Sequence, residues 1–321
     1  MVAVTGASGL LGRHLVEKLV EEGEQVIAIV RDPSTPFSET VIVRQADILD
    51  PFTIQAAVNG ATTVIHAAAF VSFNPRRRRE IMEVNVIGTR NVVDVCLHQG
   101  IKNLIHISSV AALGRKPGEL VTEDQPWTGQ DASDYATSKY LAELEVFRGA
   151  EEGLIVGLVN PTVILSGTQA HRSSASLLDY VWEENKFYND GTLNYVDARD
   201  VSEAVYKLVQ LPRPNERFIL CGGTIPYRDF FNKVATQWGK SPPMIRISSR
   251  WVYLFGMGEE VRSFLVGTEP RVTRQSAMLT VRNFTYDSTK AQRILGTRFR
   301  AIEETLVWCC AKYAQNVSRN K

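Results

Sequence analysis

The sequence predicts an α/β fold, built on a doubly wound parallel sheet and completed by a smaller, mostly helical C-terminal lobe. Two observations lead to this prediction. Short apolar, β-prone runs alternate with amphipathic helical patterns through the first part of the chain, which is typical of a parallel sheet covered by helices on both faces. A glycine-rich turn at residues 5–12 directly follows the first apolar run, where such sheets bind dinucleotides.

The glycine turn has the context of a Rossmann dinucleotide site. An amphipathic helical pattern follows it, and a second apolar run at residues 26–30 completes a segment of about thirty residues, the length of a βαβ unit. Gly6 permits the tight turn, Gly9 lets the backbone approach a pyrophosphate, and Gly12 lets the helix pack on the strand. Because backbone N–H groups at the helix start would face the phosphates, the residues predicted to bind the cofactor here are Gly6, Ser8, Gly9, Leu10, Leu11 and Gly12.

The end of the second apolar run selects between the two nicotinamide dinucleotides. A carboxylate at this point of a Rossmann site binds the ribose 2′-OH of NAD, whereas an arginine accommodates the 2′-phosphate of NADP. Arg31 comes directly after Val30, so the sequence favours NADP(H). Asp32 follows it, which keeps NAD(H) open as the alternative.

Further apolar runs extend the predicted sheet. We place strands at 41–43, 63–66, 104–107 and 154–159, and helices at 51–59, 80–98 and 134–149. Ligand groups of such a sheet gather beyond the carboxyl ends of its strands. The residues that stand at these ends, and that predict one shared site, are Asp47, residues 67–70, Ser108, Ser109, Asn160, Pro161 and Thr162.

The regular alternation ends near residue 165. We therefore divide the chain into an NAD(P)-binding Rossmann domain, residues 1–165, and a mainly substrate-binding lobe, residues 166–321, with a strand and a helix near 190–210 returning to the first domain. The lobe would cover the cofactor cleft and shape a substrate pocket. The aromatic candidates for this pocket, each equally suited to ordinary core packing, are Phe70, Phe73, His171, Trp182, Phe187, Tyr188 and Tyr195.

Tyr135 and Lys139 lie four residues apart in a helical pattern, so both side chains can lean over one spot. A tyrosine hydroxyl titrates near pH ~10, too high for efficient proton transfer at neutral pH. A positive charge close by favours the phenolate, so Lys139 is expected to lower the pKa of Tyr135. This spacing is common on helix surfaces, and the glycine turn in the same chain is what makes an acid–base role the favoured interpretation.

Several short motifs occur in order along the chain: the glycine turn at 5–12, then 46–48, 66–69, 85–89, 107–109, 135–139 and 160–162. In these motifs the chain resembles the extended short-chain dehydrogenase/reductase superfamily, which contains the NAD-dependent epimerase/dehydratase family. Residues 31–32, 71–73 and 194–201 are most similar to its dihydroflavonol-4-reductase and 3β-hydroxysteroid dehydrogenase branch.

The resemblance implies a Ser-Tyr-Lys site. Tyr135 would be the acid/base, Lys139 would bind the nicotinamide ribose and lower the Tyr135 pKa, and Ser109 would hold the substrate oxygen. The remaining roles that it implies are Asp47 and Ile48 at the adenine, Ala67 and Ala68 along the cofactor, Pro161 and Thr162 on the nicotinamide side, and Asn85 as structural support. The expected activity is hydride transfer between a nicotinamide cofactor and a ketone, an aldehyde or a secondary alcohol.

Two other functions stay open at this point. One is a sugar-nucleotide epimerase or dehydratase. It is disfavoured because this chain has Asn160-Pro161 where the superfamily often has Arg-Pro before the residues on the nicotinamide side. The other is a non-catalytic, dinucleotide-sensing regulator, which the retention of Ser109, Tyr135 and Lys139 disfavours.

Composition argues against several kinds of partner. With 36 basic and 35 acidic residues the formal net charge is +1, so no global field favours nucleic acid or an anionic membrane. The four cysteines lack metal-ligand spacing, so no metal is expected. No apolar stretch approaches a membrane span and no cleavable leader is evident, which predicts a cytoplasmic protein acting on a small molecule. The helices carrying Asn85 and Tyr135 have apolar faces that could pair in a homodimer.

Overall fold

The computed structural model describes residues 1–116, 118–130, 132–168, 175–211, 215–266, 270, 273–274 and 283–319. His171, a candidate for the substrate pocket, lies outside these residues. The strands are, in chain order, β1 (Val2–Thr5), β2 (Val26–Val30), β3 (Ile42–Gln45), β4 (Thr63–His66), β5 (Asn103–Ile107), β6 (Leu120–Val121), β7 (Ile155–Pro161), β8 (Val163–Leu165), β9 (Phe187–Tyr188), β10 (Thr192–Asp197), β11 (Glu216–Leu220), β12 (Gly223–Pro226), β13 (Ile245–Arg246) and β14 (Thr285–Tyr286).

A seven-stranded parallel sheet forms the centre of the molecule, with the strand order β11-β7-β5-β4-β1-β2-β3. The predicted doubly wound parallel sheet is therefore confirmed. The direction of winding reverses at β1, which has β2 on one side and β4 on the other. Such a reversal opens a crevice at the carboxyl ends of the strands, and this is where doubly wound sheets bind their ligands.

The helices are, in chain order, α1 (Leu10–Glu21), α2 (Pro51–Ala57), α3 (Arg78–Met82), α4 (Gly88–His98), α5 (Asp134–Glu151), α6 (Ala175–Trp182), α7 (Ala198–Gln210), α8 (Tyr227–Trp238), α9 (Ser249–Val266), α10 (Thr289–Leu295) and α11 (Ile302–Arg319). The helix predicted over 80–98 is interrupted, because a π-helical turn, Glu83–Ile87, joins α3 to α4. Five residues are too few for an apolar pattern to distinguish a π-turn from an α-helix.

Helices cover both faces of the large sheet. Val2 and Val4 of β1 pack into one core with α1, α7 and α10, whereas Ala3 packs into a second core with α2, α4 and α5. This division follows from the alternation of side chains along a strand. The central strands are consequently buried along their whole length, as β1, β2 and β4 show.

The C-terminal lobe has its own core, in which α6, α8 and α11 pack beside a three-stranded sheet of order β12-β10-β8. The helix α7, predicted near 190–210 as a returning element, packs on the large sheet. The strand that rejoins that sheet is Glu216–Leu220, beside β7. The strand Thr192–Asp197 instead pairs with β8 and β12, a choice of partner that strand propensity does not encode.

The outer surfaces of α4 and α5 carry ion pairs. Arg90 pairs with Glu145 and Arg148 pairs with Asp94, while the apolar faces of the two helices pack into the core. The homodimer predicted through these faces stays a prediction. Among the helices of the described ranges, none is both long and apolar enough to cross a membrane.

Candidate active site

The glycine turn packs against the loop that follows β4. Gly6 has a φ of +67°, and a Cβ added to it would lie 2.7 Å from the backbone nitrogen of Ala68. A Cβ on Gly12 would lie 2.0 Å from the carbonyl oxygen of Gly6. Neither position has room for a side chain, so the two segments that the sequence assigned to one cofactor, the turn and residues 67–68, lie in contact.

The start of α1 suits an anionic group. Its N-cap residue is Gly9, no side chain caps it, and its first turn carries no acidic residue. Backbone N–H groups at such a helix start carry a partial positive charge and bind phosphate. The glycine turn and the start of α1 together, here called the glycine cradle, therefore suit a dinucleotide pyrophosphate. Of the other predicted turn residues, Ser8 is exposed, Leu10 is half-buried and Leu11 belongs to the core.

The loop after β2, residues 31–37, borders the site on the side predicted to bind the adenosine ribose, and we call it the nucleotide edge. Asp32 folds back on this loop, since its Oδ1 accepts hydrogen bonds from the backbone N–H of Ser34 at 3.0 Å and from the Ser34 hydroxyl at 2.7 Å. These bonds lower the pKa of the Asp32 carboxyl group. Arg31 is exposed, and the amide of Gln45 donates to its carbonyl oxygen at 3.0 Å. The carboxylate is thus engaged in an Asx turn.

Asp47 and Ile48 lie beside that loop, directly after β3. The Ala46 N–H donates to the Val30 carbonyl oxygen at 3.0 Å, which holds this segment against the end of β2. Asp47 is exposed and its carboxylate accepts from its own turn, whereas Ile48 is only 7% exposed and packs against α4. Contacts of these two residues with an adenine stay a prediction.

Tyr135 and Ser109 meet at the carboxyl end of β5. Tyr135 stands in the first turn of α5, which the Ser133 hydroxyl caps by accepting from the Ala136 N–H at 3.1 Å. The ring of Phe73 meets the Tyr135 ring edge-on, with the ring centres 5.9 Å apart. Burial raises the pKa of the Tyr135 phenol, and a smaller opposing effect comes from a hydrogen bond with the Ser109 side chain. The phenol therefore keeps its proton at neutral pH.

Of the two serines after β5, Ser109 is the one whose side chain influences the Tyr135 phenol. Its Oγ also accepts from the Ala111 N–H at 3.1 Å, and its carbonyl oxygen accepts from the amide of Asn160 at 2.9 Å. Ser108 is buried, and its hydroxyl has no hydrogen-bond partner in the part of the chain that the structure describes.

Lys139 points beneath the site. It is 2% exposed, and its Nζ donates to the Ile107 carbonyl oxygen at 2.7 Å. Burial lowers the pKa of Lys139 to about 8, against the charge of Glu143, which raises it. Burial of the phenol and the opposing effect of Ser109 dominate the pKa of Tyr135, and a contribution of Lys139 to this pKa stays a prediction.

A buried histidine that the sequence left without a role connects β1, β4 and α4. Thr89 Oγ1 donates to the Asn85 carbonyl oxygen at 2.6 Å, so it must accept its second bond, at 3.0 Å, from Nε2–H of His66. The other ring nitrogen, Nδ1, then accepts from the Thr5 hydroxyl at 2.7 Å. Burial, assisted by the charge of Lys139, lowers the pKa of His66 to about 3. His66 is therefore a neutral ring in one fixed tautomer.

His106 lies between His66 and Lys139. Its Nε2 is 3.5 Å from the Lys139 Nζ, and its ring centre is 5.3 Å from that of His66. Burial first, then the charge of Lys139, and last an electrostatic interaction with His66 hold the pKa of His106 far below its usual range. Its position as the penultimate residue of an apolar strand is the only sequence signal that could have indicated a role.

Asn85 joins the loop after β4 to α5. Its Oδ1 accepts from the Phe70 N–H at 2.7 Å, and its Nδ2 donates to the Phe70 carbonyl oxygen and to the Ser138 hydroxyl, both at 2.9 Å. Asn85 stands in the π-helical turn Glu83–Ile87, and π-turns occur frequently at functional sites.

The residues predicted on the nicotinamide side, Pro161 and Thr162, come directly after Asn160, which belongs to a buried polar network. Asn160 donates to Glu143 Oε1 at 2.6 Å, and Arg217 pairs with Glu143 Oε2 at 2.7 Å, so this buried carboxylate is neutralised. Pro161 ends β7, and the Thr162 N–H donates to the Leu220 carbonyl oxygen at 3.0 Å. Sequence analysis missed the network because its members come from three distant segments.

The predicted pocket aromatics divide into three groups. Phe73 contacts the Tyr135 ring at the site, whereas the Phe70 backbone is held by Asn85 and its ring centre lies 5.0 Å from the guanidinium carbon of Arg77. Trp182 and Tyr195 pack in the core of the C-terminal lobe, which is the core-packing alternative and not the pocket. Phe187 is 47% exposed on β9, and Tyr188 follows it there.

Comparisons with known proteins agree with this architecture. The model of a family described as the NAD dependent epimerase/dehydratase family matches residues 2–221. Sterol demethylase protein B of Methylococcus capsulatus is 28% identical over 303 residues, covering 91% of this chain and 92% of that protein. Cinnamoyl-CoA reductase 1 of Petunia hybrida is 29% identical over 250 residues, covering 71% and 74% of the two chains.

A solved structure is also similar along the whole chain. The crystal structure of gox2253 superimposes with a TM-score of 0.84 at 29% sequence identity, covering 98% of each chain. The large sheet and the C-terminal lobe therefore both have counterparts in a known protein.

Proposed function

We propose that this chain interconverts a ketone or aldehyde and the corresponding alcohol with NADP(H). The chain belongs to the NAD dependent epimerase/dehydratase family and is an NAD(P)-dependent oxidoreductase of the extended short-chain type. The observation that carries this proposal is the close approach of the Ser109 and Tyr135 side chains after β5, at the carboxyl end of the sheet that also carries the glycine cradle. Two hydroxyls that meet at one point are suited to hold and protonate a single substrate oxygen.

When bound, NADPH supplies the hydride that reduces the carbonyl carbon. Negative charge then develops on the carbonyl oxygen, and the hydroxyls of Ser109 and Tyr135 donate to it. Tyr135 delivers its proton to this oxygen. Because burial raises the pKa of the phenol, the proton that carbonyl reduction requires is present on Tyr135 at neutral pH.

The cofactor would be held along the carboxyl ends of the strands. The backbone at the start of α1 would bind the pyrophosphate, Lys139 would bind the nicotinamide ribose, and Pro161 and Thr162 would border the nicotinamide. The ammonium of Lys139 is already positioned by the Ile107 carbonyl oxygen, so little conformational freedom remains to be lost when it binds the ribose.

The preference for NADP(H) is supported by the nucleotide edge. Asp32 is the carboxylate that would accept a bond from the ribose 2′-OH of NAD, but its Oδ1 already accepts two hydrogen bonds from Ser34. Arg31 offers an exposed guanidinium at the same place. An arginine there is suited to a 2′-phosphate.

The acid–base role is tested by Tyr135→Phe. Turnover of a reducible carbonyl should fall by roughly 10²–10⁴-fold, because the proton donor is lost, while the affinity for NADPH is retained. Tyr140→Phe is the matched control, since Tyr140 lies on the same helix and stacks on Trp127 with the ring centres 4.7 Å apart. Full activity of Tyr135→Phe would overturn the proposed role.

The reaction type is tested by following NADPH and NADH oxidation against a panel of aldehydes and ketones. A sugar-nucleotide epimerase or dehydratase would keep its nicotinamide bound through turnover, so it would release NAD(H) only on denaturation and would not consume added NADPH. A dinucleotide-sensing regulator would bind the cofactor and turn over no member of the panel. Either result would replace the proposal.

A further inference from the structure

Arg13, in the first turn of α1, reaches across to the loop that follows β2. Its guanidinium carbon lies 5.7 Å from the centre of the Phe37 ring, and its Nη1 donates to the Pro36 carbonyl oxygen at 3.5 Å. Arg31 stands at the other end of this loop, directly after β2. The nucleotide-edge loop, residues 31–37, therefore has one arginine from the strand and a second from the helix.

Neither guanidinium is held by a carboxylate within the described residues, since Glu17, whose pKa is lowered first by its bond to His14 and also by the charge of Arg13, bonds to His14. In the part of the chain that the structure describes, Arg13 and Arg31 form no ion pair, whereas Lys18, further along α1, pairs with Glu22. Asp32, the carboxylate on the loop, accepts its hydrogen bonds from Ser34. Arg13 uses one long bond to a backbone carbonyl, so most of its five N–H donors are available to a ligand.

The loop that begins at Arg31 and that Arg13 contacts lies beside the place where the adenosine ribose would be. The Ala7 N–H donates to the Ile29 carbonyl oxygen at 3.4 Å, which places the glycine cradle next to the end of β2. A dinucleotide whose pyrophosphate occupies the cradle extends its adenosine ribose toward this strand end. A phosphate on the ribose 2′-oxygen would then meet planar guanidinium groups, which match phosphate oxygens in a bidentate geometry.

We propose that Arg13 and Arg31 together form a clamp for the 2′-phosphate of NADP(H), with Arg13 on the helix side and Arg31 on the strand side. This clamp rests on the proposed use of NADP(H). The ring of Phe37 orients the Arg13 guanidinium before the ligand arrives, because a guanidinium stacked on an aromatic face is favourably placed by cation–π attraction. Arg13 is in this way a specificity-determining residue that the glycine motif does not reveal.

The clamp is tested on the full chain by calorimetric titration with two ligands, adenosine 2′,5′-bisphosphate and 5′-AMP, which differ by the 2′-phosphate alone. The variants are Arg13→Met, which keeps an unbranched side chain over Phe37, Arg31→Met and the double variant. Each single variant should weaken bisphosphate binding by about tenfold or more, the equivalent of a charge-assisted hydrogen bond. Binding of 5′-AMP should be unchanged.

Two controls separate the clamp from general charge and from folding. Lys18→Met removes a positive charge from the same helix and should leave both affinities unchanged. Arg13→Lys keeps the positive charge but lacks the planar guanidinium group with its paired N–H donors. Its affinity for the bisphosphate should therefore lie between those of the wild type and Arg13→Met. Thermal melting of each variant identifies any loss of fold, and Arg13→Gln is the second variant if Arg13→Met melts early.

The outcomes distinguish the clamp from the function on which it rests. Wild-type bisphosphate affinity in Arg13→Met, with a loss in Arg31→Met, would overturn the clamp and leave the preference for NADP(H) with Arg31. Equal binding of the two ligands by the wild type would overturn both the clamp and the NADP(H) preference. Hydride transfer itself is decided separately by Tyr135→Phe.

Discussion

The candidate site has a buried half and an exposed half, and they obtain specificity in different ways. In the buried half, both ring nitrogens of His66 and the ammonium of Lys139 have fixed hydrogen-bond partners. In the exposed half, Arg31 and Asp32 lie on a surface loop. Burial sets the charge state of the first pair, whereas solvent screens the second.

This difference indicates how each half responds to change. A buried ionisable group changes the free energy of unfolding with pH, because its pKa in the folded chain differs from that in the unfolded chain. An exposed group alters recognition of the ligand and leaves the fold almost untouched. The following predictions test whether the two halves separate in this way.

The largest effect is expected from Gly12→Ala. The new methyl group would lie 2.0 Å from the Gly6 carbonyl oxygen, so the cradle must shift and dinucleotide binding should be lost. Gly258→Ala, in α9, is the control, because a Cβ there meets nothing within 4 Å. It should stabilise the helix by at most about 1 kcal/mol. Cofactor titration and chemical unfolding measure both, and retained binding in Gly12→Ala would contradict the close contact.

The next effect is sensitivity to acid through His66. Its pKa is about 3 in the folded chain against 6.5 ordinarily, so between these values the unfolded chain binds a proton that the folded chain does not. The free energy of unfolding should therefore fall by about 3 kcal/mol between pH 7 and pH 4 on account of His66. Urea unfolding of His66→Gln should lack this part of the decrease.

The control for the acid effect is His98→Gln, at the exposed end of α4. It should keep the full decrease of the wild type between pH 7 and pH 4. If His66→Gln and His98→Gln lose stability equally on acidification, the neutral buried ring is not what makes the protein sensitive to acid.

A smaller effect on the free energy of unfolding, at alkaline instead of acidic pH, is expected from Lys139. Its pKa of about 8 lies below the ordinary 10.5, so between these values the unfolded chain again binds the extra proton and the wild type becomes more stable as the pH rises. The gain should be about 2 to 3 kcal/mol between pH 7 and pH 10. Lys139→Met should lack it, and exposed Lys102→Met should retain it. If the free energy of unfolding changes with pH in the same way in the wild type, Lys139→Met and Lys102→Met, the charge of Lys139 is not buried.

The smallest effect is expected at Asp32. Because its carboxylate is solvent-exposed and accepts hydrogen bonds from Ser34, Asp32→Asn should change the affinity for NADH by less than about threefold. Titration of the variant with NADH and NADPH measures this. A tenfold loss of NADH affinity would mean that Asp32 leaves its turn to bind the ribose, and the exposed half would then be remodelled by its ligand.

Regular elements of the fold could be predicted from local patterns. The helix predicted over 134–149 is α5, Asp134–Glu151, and the runs around β1, β2 and β4 became the centre of the sheet. These elements follow from side-chain periodicity, which is a local property. The π-turn Glu83–Ile87 and the strand partners of β10 depend on contacts between distant segments, and periodicity carries no information about those.

By itself the sequence determined the doubly wound sheet, the glycine turn and the residue types at the strand ends, because periodicity and backbone sterics act over a few residues. Only the tertiary structure decided that Tyr135 stays protonated, that His66 is neutral and that Lys139 turns toward the Ile107 carbonyl oxygen. The reason is that a pKa and a hydrogen-bond partner depend on burial and on groups from distant parts of the chain. Those groups meet only when the chain has folded.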